Sequence, residues 1–351
     1  MTGLPLRPEL VGRTPYGAPQ LEVPVRLNVN ENPYPPSAGL VADIAAAVGR
    51  AARSLNRYPD RDAVGLRTGL ADYLGHGLDA SQVWAANGSN EVMVQLLQAF
   101  GGPGRTVMTY VPSYSMYPDY AALTGTMLVR LDRDAGFGID PSAAAGHDVV
   151  VVARPNNPTG TGLPLAVIEA LCAAATGMVI VDEAYQEFSA HTSALALLER
   201  FPRLVVTRTM SKAFAFAGGR VGYLAASRDV VEALQLVRLP YHLSAPTQAA
   251  ALAALGHARE TLGSVAQVVA DREVLAKSLA AQGFPVVPSD ANFLLVGGLT
   301  EPAATFAALL ARGILVRDVG IPGHLRVTVG TTEECAQLLD AWTAVTPDNV
   351  I

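Results

Sequence analysis

Between residues 82 and 226 short, continuous apolar runs alternate with longer amphipathic stretches, and this order constrains the chain more than any other feature. VVVVAR (149–154) and MVIVDE (178–183) are short and apolar without alternation, which predicts strands covered by helices on both faces. RTVMTY (105–110), TMLVRL (126–131), LVVTRT (204–209) and VGYLAA (221–226) also read as strands, as does QVWAA ahead of NGSNE. EVMVQLLQAF (91–100) places its apolar residues 92, 93, 96, 97 and 100 on one helical face. Strand and helix alternating in this way predict an α/β domain with a mostly parallel central sheet.

The flanks differ in character. Residues 1–36 are rich in Pro and Asn (PYGAPQ, NVNENPYPP) and read as an extended arm lying over another surface. Past residue 240, YHLSAPTQAAALAAL and TLGSVAQVVADREVLAKSLAAQG read as two helices, the second long. FPVVPS, NFLLVG, ILVRDV and LRVTVG then read as strands, with one helix between the middle pair and another at the C-terminus. The expected division is an N-terminal arm at 1–36, a large domain at 37–239 and a smaller α+β domain at 240–351.

Composition narrows the function classes. With 351 residues, half of them apolar and 16% charged, the chain suits one large domain plus a smaller one and leaves no long span for disorder. A net charge of −6 without a run of Lys or Arg argues against a nucleic-acid partner. No apolar run has signal-peptide or membrane-span length, so no membrane partner is expected. Cys172 and Cys335 lie far apart without metal-ligand spacing, which predicts no metal and a reducing, cytoplasmic setting.

In an open α/β sheet ligands bind beyond the carboxyl ends of the strands, so the residues placed there are the candidates. NGSNE puts Gly88, Ser89 and Asn90 at the first turn of a helix, where free N–H groups suit either an ordinary cap or a phosphate. VPSYSMY offers the flat face of Tyr114, for the core or for a ligand. PNNPTG, carrying Asn157, is either a plain turn or a fixed pair of amides. DEAY ends an apolar strand with Asp182 and Tyr185, where an acid is either solvated or the partner of a buried cation. TRTMSKAFAFAGGRVGY carries Thr209, Ser211, Lys212 and, behind two glycines, Arg220. Lys212 is either a surface amine or one held in a pocket to meet a carbonyl, and Arg220 either a surface ion pair or a ligand contact.

Taken together, NGSNE, SYSMY, PNNPTG, DEAY, SKAFAFAGGRVGY and LRVTVG resemble the fold type I, pyridoxal-phosphate-dependent aminotransferases of class I and II. LNVNENPYPP, NRYPD (56–60), RLPYHLS (238–244) and GILVRDVG (313–320) are similar in particular to the histidinol-phosphate aminotransferases. The resemblance covers nearly the whole chain and keeps the family's order. It implies that Lys212 is joined to the aldehyde of pyridoxal 5'-phosphate and later carries a proton, with its pKa lowered by a cationic, partly desolvated pocket. It implies that Asp182 pairs with the pyridine nitrogen, that Asn157 and Tyr185 bond the ring's phenolic oxygen, and that Tyr114 stacks on the ring. Gly88, Ser89, Asn90, Thr209, Ser211 and Arg220 would surround the cofactor phosphate, with Tyr58 reaching it from the second subunit of a homodimer that shares its active sites. Arg326 would bind the substrate's acidic group, with Arg317, Tyr16 and Tyr58 around that end. Asn30 falls within a family motif but gains no separate role.

The reaction so implied is a ping-pong exchange between histidinol phosphate and 2-oxoglutarate, giving imidazole-acetol phosphate and glutamate, within histidine biosynthesis. One alternative is an aminotransferase for phenylalanine, tyrosine or another amino acid in a specialised pathway. Another is a cofactor-binding regulator without transaminase activity, against which stand Lys212, Asp182 and Arg220 and the lack of an appended DNA-binding segment. Arg154 departs from the family, where Ser or Thr is frequent before PNNPTG. It either adds positive charge beside the cofactor or turns away to pair with an acid. Gly219, where leucine is frequent, gives the chain more freedom before Arg220.

Overall fold

The computed structural model describes residues 5–15 and 17–345. In chain order the strands are β1 (Val25–Arg26), β2 (Val83–Ala86), β3 (Thr106–Val111), β4 (Met127–Asp132), β5 (Val149–Ala153), β6 (Met178–Asp182), β7 (Leu204–Thr209), β8 (Gly222–Ala226), β9 (Phe293–Val296), β10 (Ile314–Leu315) and β11 (Leu325–Thr328). The α-helices are α1 (Ala38–Ala52), α2 (Val64–Leu74), α3 (Ser89–Phe100), α4 (Tyr117–Thr124), α5 (Leu165–Ala174), α6 (Arg228–Val237), α7 (Ala245–Gly256), α8 (Ala258–Ala281), α9 (Pro302–Ala311) and α10 (Thr332–Val345).

Seven strands form one sheet in the order β2-β8-β7-β6-β5-β3-β4. β4, β3, β5, β6 and β7 run parallel, and β8 alone lies antiparallel to both of its neighbours. The continuous valine runs explain the layering. Val150 and Val152 of β5 enter one apolar cluster with Val179 and Val181 of β6, while Val149 and Val151 enter the opposite one with Met178 and Ile180. A strand apolar at every position is therefore buried on both faces, and each of these side chains contributes roughly 1.5–3 kcal/mol by leaving water. The fold is the expected α/β class with a mostly parallel sheet.

The first turn of α3 is held tightly against the sheet. A β-carbon at Gly222 of β8 would fall on the backbone of Gly88 and Ser89, so only glycine allows that approach. α7 is capped by the Ser244 hydroxyl, which accepts from Thr247 N–H at 3.2 Å, and packs against α1 and α2.

The C-terminal strands are sparser than the sequence suggests. FPVVPS forms no strand; Val286 makes one bridge to Val296, since Pro285 and Pro288 each lack the N–H a ladder needs. ILVRDV shortens to Ile314–Leu315, followed by an isolated bridge between Arg317 and Arg326. β9 and β11 pair antiparallel, with Arg326 opposite Leu295. The N-terminal segment joins this region: β1 lies parallel to β10, Leu27 N–H donates to Leu315 O at 2.7 Å, and Thr328 N–H donates to Leu27 O at 2.9 Å. The arm is thereby carried across the carboxyl edge of the large sheet.

Candidate active site

The carboxyl ends of β2, β3, β5, β6 and β7 open on one cavity of ≈ 1070 Å³. Ser89, Asn90, Tyr114, Asn157, Asp182, Tyr185, Thr209, Ser211, Lys212 and Arg220 line it from the sheet side. Arg317 and Arg326 line it from the C-terminal strands, and residues 28–31 of the arm close it from above. Residues read separately from five strand ends are thus one site. Tyr58 does not join it: its ring is 79% exposed and stacked on Tyr241 at 4.3 Å. Tyr16 lies outside the described residues.

One end of the cavity is built for an anion. Gly88 precedes α3 at φ +85°, with no side chain capping the helix, so the first-turn N–H groups of Ser89 and Asn90 remain open to the cavity. A β-carbon at Gly88 would land on the Arg220 guanidinium, which fills that space instead. Arg220 is itself left-handed at φ +54° and donates to the Ser211 hydroxyl at 3.4 Å. The Thr209 hydroxyl accepts from Ser211 N–H at 3.1 Å, and Thr209, Ser211 and Arg220 line the cavity together with Ser89 and Asn90 of the helix start. Gly219 has a definite reason to lack a side chain, because the Phe216 ring occupies the space a β-carbon would need.

The floor is Asp182, nearly buried at the end of β6. Its Oδ1 accepts from Ala184 N–H at 3.2 Å and from the Thr207 hydroxyl at 3.3 Å; its Oδ2 accepts from the Tyr117 hydroxyl at 2.8 Å. Burial pushes its pKa up, and these hydrogen bonds work against that rise. Tyr117 was missed in the sequence although it stands in SYSMY, three residues after Tyr114. The signal available was that i, i+3 spacing at a helix start; Tyr114 meets Tyr117 edge-on at 5.6 Å.

Lys212 lines the same cavity as Asp182, its Nζ donating to Val29 O of the arm at 2.9 Å. Burial first, then the Arg326 and Arg220 charges, lower its pKa to about 8, with Glu31 opposing. This is the cationic, partly desolvated setting expected for it. Its amine also lies 6.0 Å from the Tyr185 ring. The Tyr185 hydroxyl accepts from Asn157 Nδ2 at 3.3 Å and from Asn30 Nδ2 at 3.0 Å. Asn30 thereby acquires a place: at φ +58° it is held by Thr328 on both its N–H and its Oδ1, each at 3.0 Å, and by Asn292 on its carbonyl. Asn157 Oδ1 accepts from Arg326 at 2.7 Å, and the same guanidinium donates to Asn28 O at 2.7 Å. Arg317, half-buried beside it, donates to Gly17 O at 3.3 Å.

Arg154 turns away from the cavity. It donates to Leu163 O at 2.6 Å, to Glu183 at 3.1 Å and to Thr192 O at 2.9 Å, 1% exposed beneath the sheet edge. Of its two readings, pairing with an acid is the one the structure contains. Its backbone N–H, bonded to Asp182 O at 2.9 Å, still ties the PNNPTG and DEAY turns together.

Fold and cavity define a fold type I transferase, with an amine of lowered pKa and a buried carboxylate lining one cavity and a guanidinium set at an uncapped helix start. The model of the family "Aminotransferase class I and II" matches residues 22–341, and the chain belongs to that family. A histidinol-phosphate aminotransferase of Mycobacterium marinum is 57% identical over 342 residues, covering 94% of this chain and 90% of that protein. Among solved structures, histidinol-phosphate aminotransferase from Sinorhizobium meliloti in complex with pyridoxal-5'-phosphate has a TM-score of 0.83 at 25% identity, covering 92% of this chain and 91% of that one. A Thermus thermophilus aspartate aminotransferase mutant follows at 0.77 and 26%, covering 92% and 91%. The shared scaffold therefore serves more than one amino donor.

Proposed function

We propose that this chain is a pyridoxal-phosphate-dependent transaminase exchanging the amino group between histidinol phosphate and 2-oxoglutarate, as a step of histidine biosynthesis. The observation that carries the reading is one cavity that holds Lys212 and Asp182 together with Arg220 by the start of α3 and with Arg326 and Arg317 from the C-terminal strands. Its residues suit the cofactor: a helix start without a side-chain cap for the phosphate, a buried carboxylate accepting three hydrogen bonds for the ring nitrogen, and an amine of lowered pKa in the same cavity. When bound, pyridoxal phosphate supplies the carbonyl that takes the amino group and the ring that accepts electrons from the substrate's Cα.

Each residue then has a task. Ser89, Asn90, Thr209, Ser211 and Arg220 would hold the phosphate, together with the N–H groups after Gly88. Asp182 would keep a proton on the ring nitrogen. Tyr185, held by Asn157, would donate to the phenolic oxygen, and Tyr114 would cover the ring face. Lys212 would take the proton from Cα as a base: burial and the Arg326 and Arg220 charges lower its pKa to about 8, so more of it is unprotonated near neutral pH than of an ordinary lysine. Arg326, buried and already bonded to Asn157, grips the carboxylate of glutamate or the anion of the other donor, and Arg317 and Tyr16 assist there.

A homodimer is part of this reading. Tyr58 stands outside its own cavity, exposed and stacked on Tyr241, available to the cavity of a second copy. We read the chain as arm, large and small domains divided at 36 and 239, and we place it in the cytoplasm, where the free, buried Cys172 and Cys335 stay reduced. No helix among the described residues is long and apolar enough to cross a membrane. The deciding experiment compares turnover of histidinol phosphate and of phenylalanine, each with 2-oxoglutarate. Faster turnover of phenylalanine would overturn the substrate, and a Lys212→Ala variant with full activity would overturn the mechanism.

A further inference from the structure

Asp182 has one buried hydroxyl partner from outside its own sheet. Tyr117 opens α4, carried into place by the turn after β3, and donates to Oδ2 at 2.8 Å. The two sheet-side donors, Ala184 N–H and Thr207, are longer at 3.2 and 3.3 Å. The groups that favour the charged carboxylate are these hydrogen bonds, and none of them is a cation. Glu183, next along the chain, is engaged by Arg154 and Arg208 instead. The Tyr117 ring is 3% exposed and does not line the cavity; it lies behind Asp182, with Tyr120 and Tyr114 as its aromatic neighbours. It thus touches both Asp182 and Tyr114, two of the groups assigned to the cofactor ring.

We propose that Tyr117 is a positioning residue for cofactor binding: its hydroxyl fixes the Asp182 carboxylate, charged and aimed into the cavity, at the place the ring nitrogen occupies. This rests on the assignment of Asp182 to that nitrogen. Without the hydroxyl, Oδ2 loses its shortest donor in a site whose burial already disfavours charge, and the carboxylate becomes a weaker partner for a protonated ring. Tyr117→Phe removes only that bond, because the ring keeps its edge-on contact with Tyr114, its neighbour Tyr120 and its place in the apolar cluster.

The test is equilibrium titration of the apoprotein with pyridoxal phosphate, followed by protein fluorescence, for wild type, Tyr117→Phe, Asp182→Asn and the double variant. Tyr117→Phe is expected to bind about ten- to hundredfold more weakly, the loss of one hydrogen bond to a charged group. Its apoprotein should melt no lower than Tyr110→Phe, which deletes another buried tyrosine hydroxyl, bonded to Asp140 O. In the Asp182→Asn background the same change should alter affinity less than twofold, since Tyr117 acts through Asp182; a merely structural role would add in full. Tyr117→Phe within twofold of wild type, or equal losses in both backgrounds, overturns the proposal. Asp182→Asn binding as tightly as wild type overturns instead the assignment of Asp182, and the proposal with it.

Discussion

Replacing Arg154 by Met should cost stability and spare catalysis. Arg154 and Arg208 share the buried space beneath the sheet edge with Glu183 and Glu187, two positive charges against two negative. Glu183 is 0% exposed and accepts from Arg154 on Oε1, from Arg208 and the Ser193 hydroxyl on Oε2, and from Ala194 N–H. Methionine fills most of the stem but leaves one net negative charge inside and strands the carbonyls of Leu163 and Thr192. Breaking a buried pair on one side costs about 3–5 kcal/mol, and the surviving Arg208 contacts place this variant towards the lower end. At roughly 2 °C per kcal/mol for a chain of this size, the apoprotein should melt about 6–8 °C lower. Urea unfolding followed by tryptophan fluorescence measures the loss as a shift in midpoint at constant slope. The guanidinium does not line the cavity, so kcat/KM of the folded variant should stay within about threefold of wild type. A midpoint loss worth less than about 1 kcal/mol would refute the network's role. A tenfold fall in kcat/KM with stability intact would mean that Arg154 acts on the cavity after all.

Three further outcomes follow from the site. Lys212 in the apoprotein should react with an aldehyde probe at a rate that rises with pH through a midpoint near 8, because only the unprotonated amine attacks; a midpoint near the ordinary lysine value of 10.5 would contradict the burial and cation argument. Gly88→Ala forces a β-carbon onto the Arg220 guanidinium at a positive φ, so pyridoxal phosphate should bind at least about tenfold more weakly in a direct titration. Arg326→Gln should raise KM about ten- to hundredfold for both 2-oxoglutarate and the amino donor, whereas Arg317→Gln should raise it mainly for a phosphorylated donor; equal effects of Arg317→Gln on phosphorylated and unphosphorylated donors would remove its proposed specificity.

Much of this protein was readable along the chain because its signals are local. Valine runs declare doubly covered strands, glycines mark close approaches, and the rule that ligands sit at strand ends gathers Ser89, Asn157, Asp182 and Lys212 before any coordinate is known. The reading failed where a run of apolar residues was interrupted in ways that only neighbours decide. FPVVPS has strand-like residues, but its two prolines and the single available partner at Val296 leave one bridge.

What the sequence by itself determined is the layered α/β scaffold and the identity of the groups brought to its carboxyl edge, since both depend on residue type and short spacing. The tertiary structure alone decided direction and partnership. Arg154 could have faced the cavity or the acid behind it, and the presence of Glu183, Leu163 O and Thr192 O on one side settled which. Tyr117 meets Asp182 across 65 residues, and Asn30 meets Thr328 across 298. Such contacts leave no periodic trace in either segment, because each is selected by the burial of a polar atom that must find a partner wherever the fold supplies one.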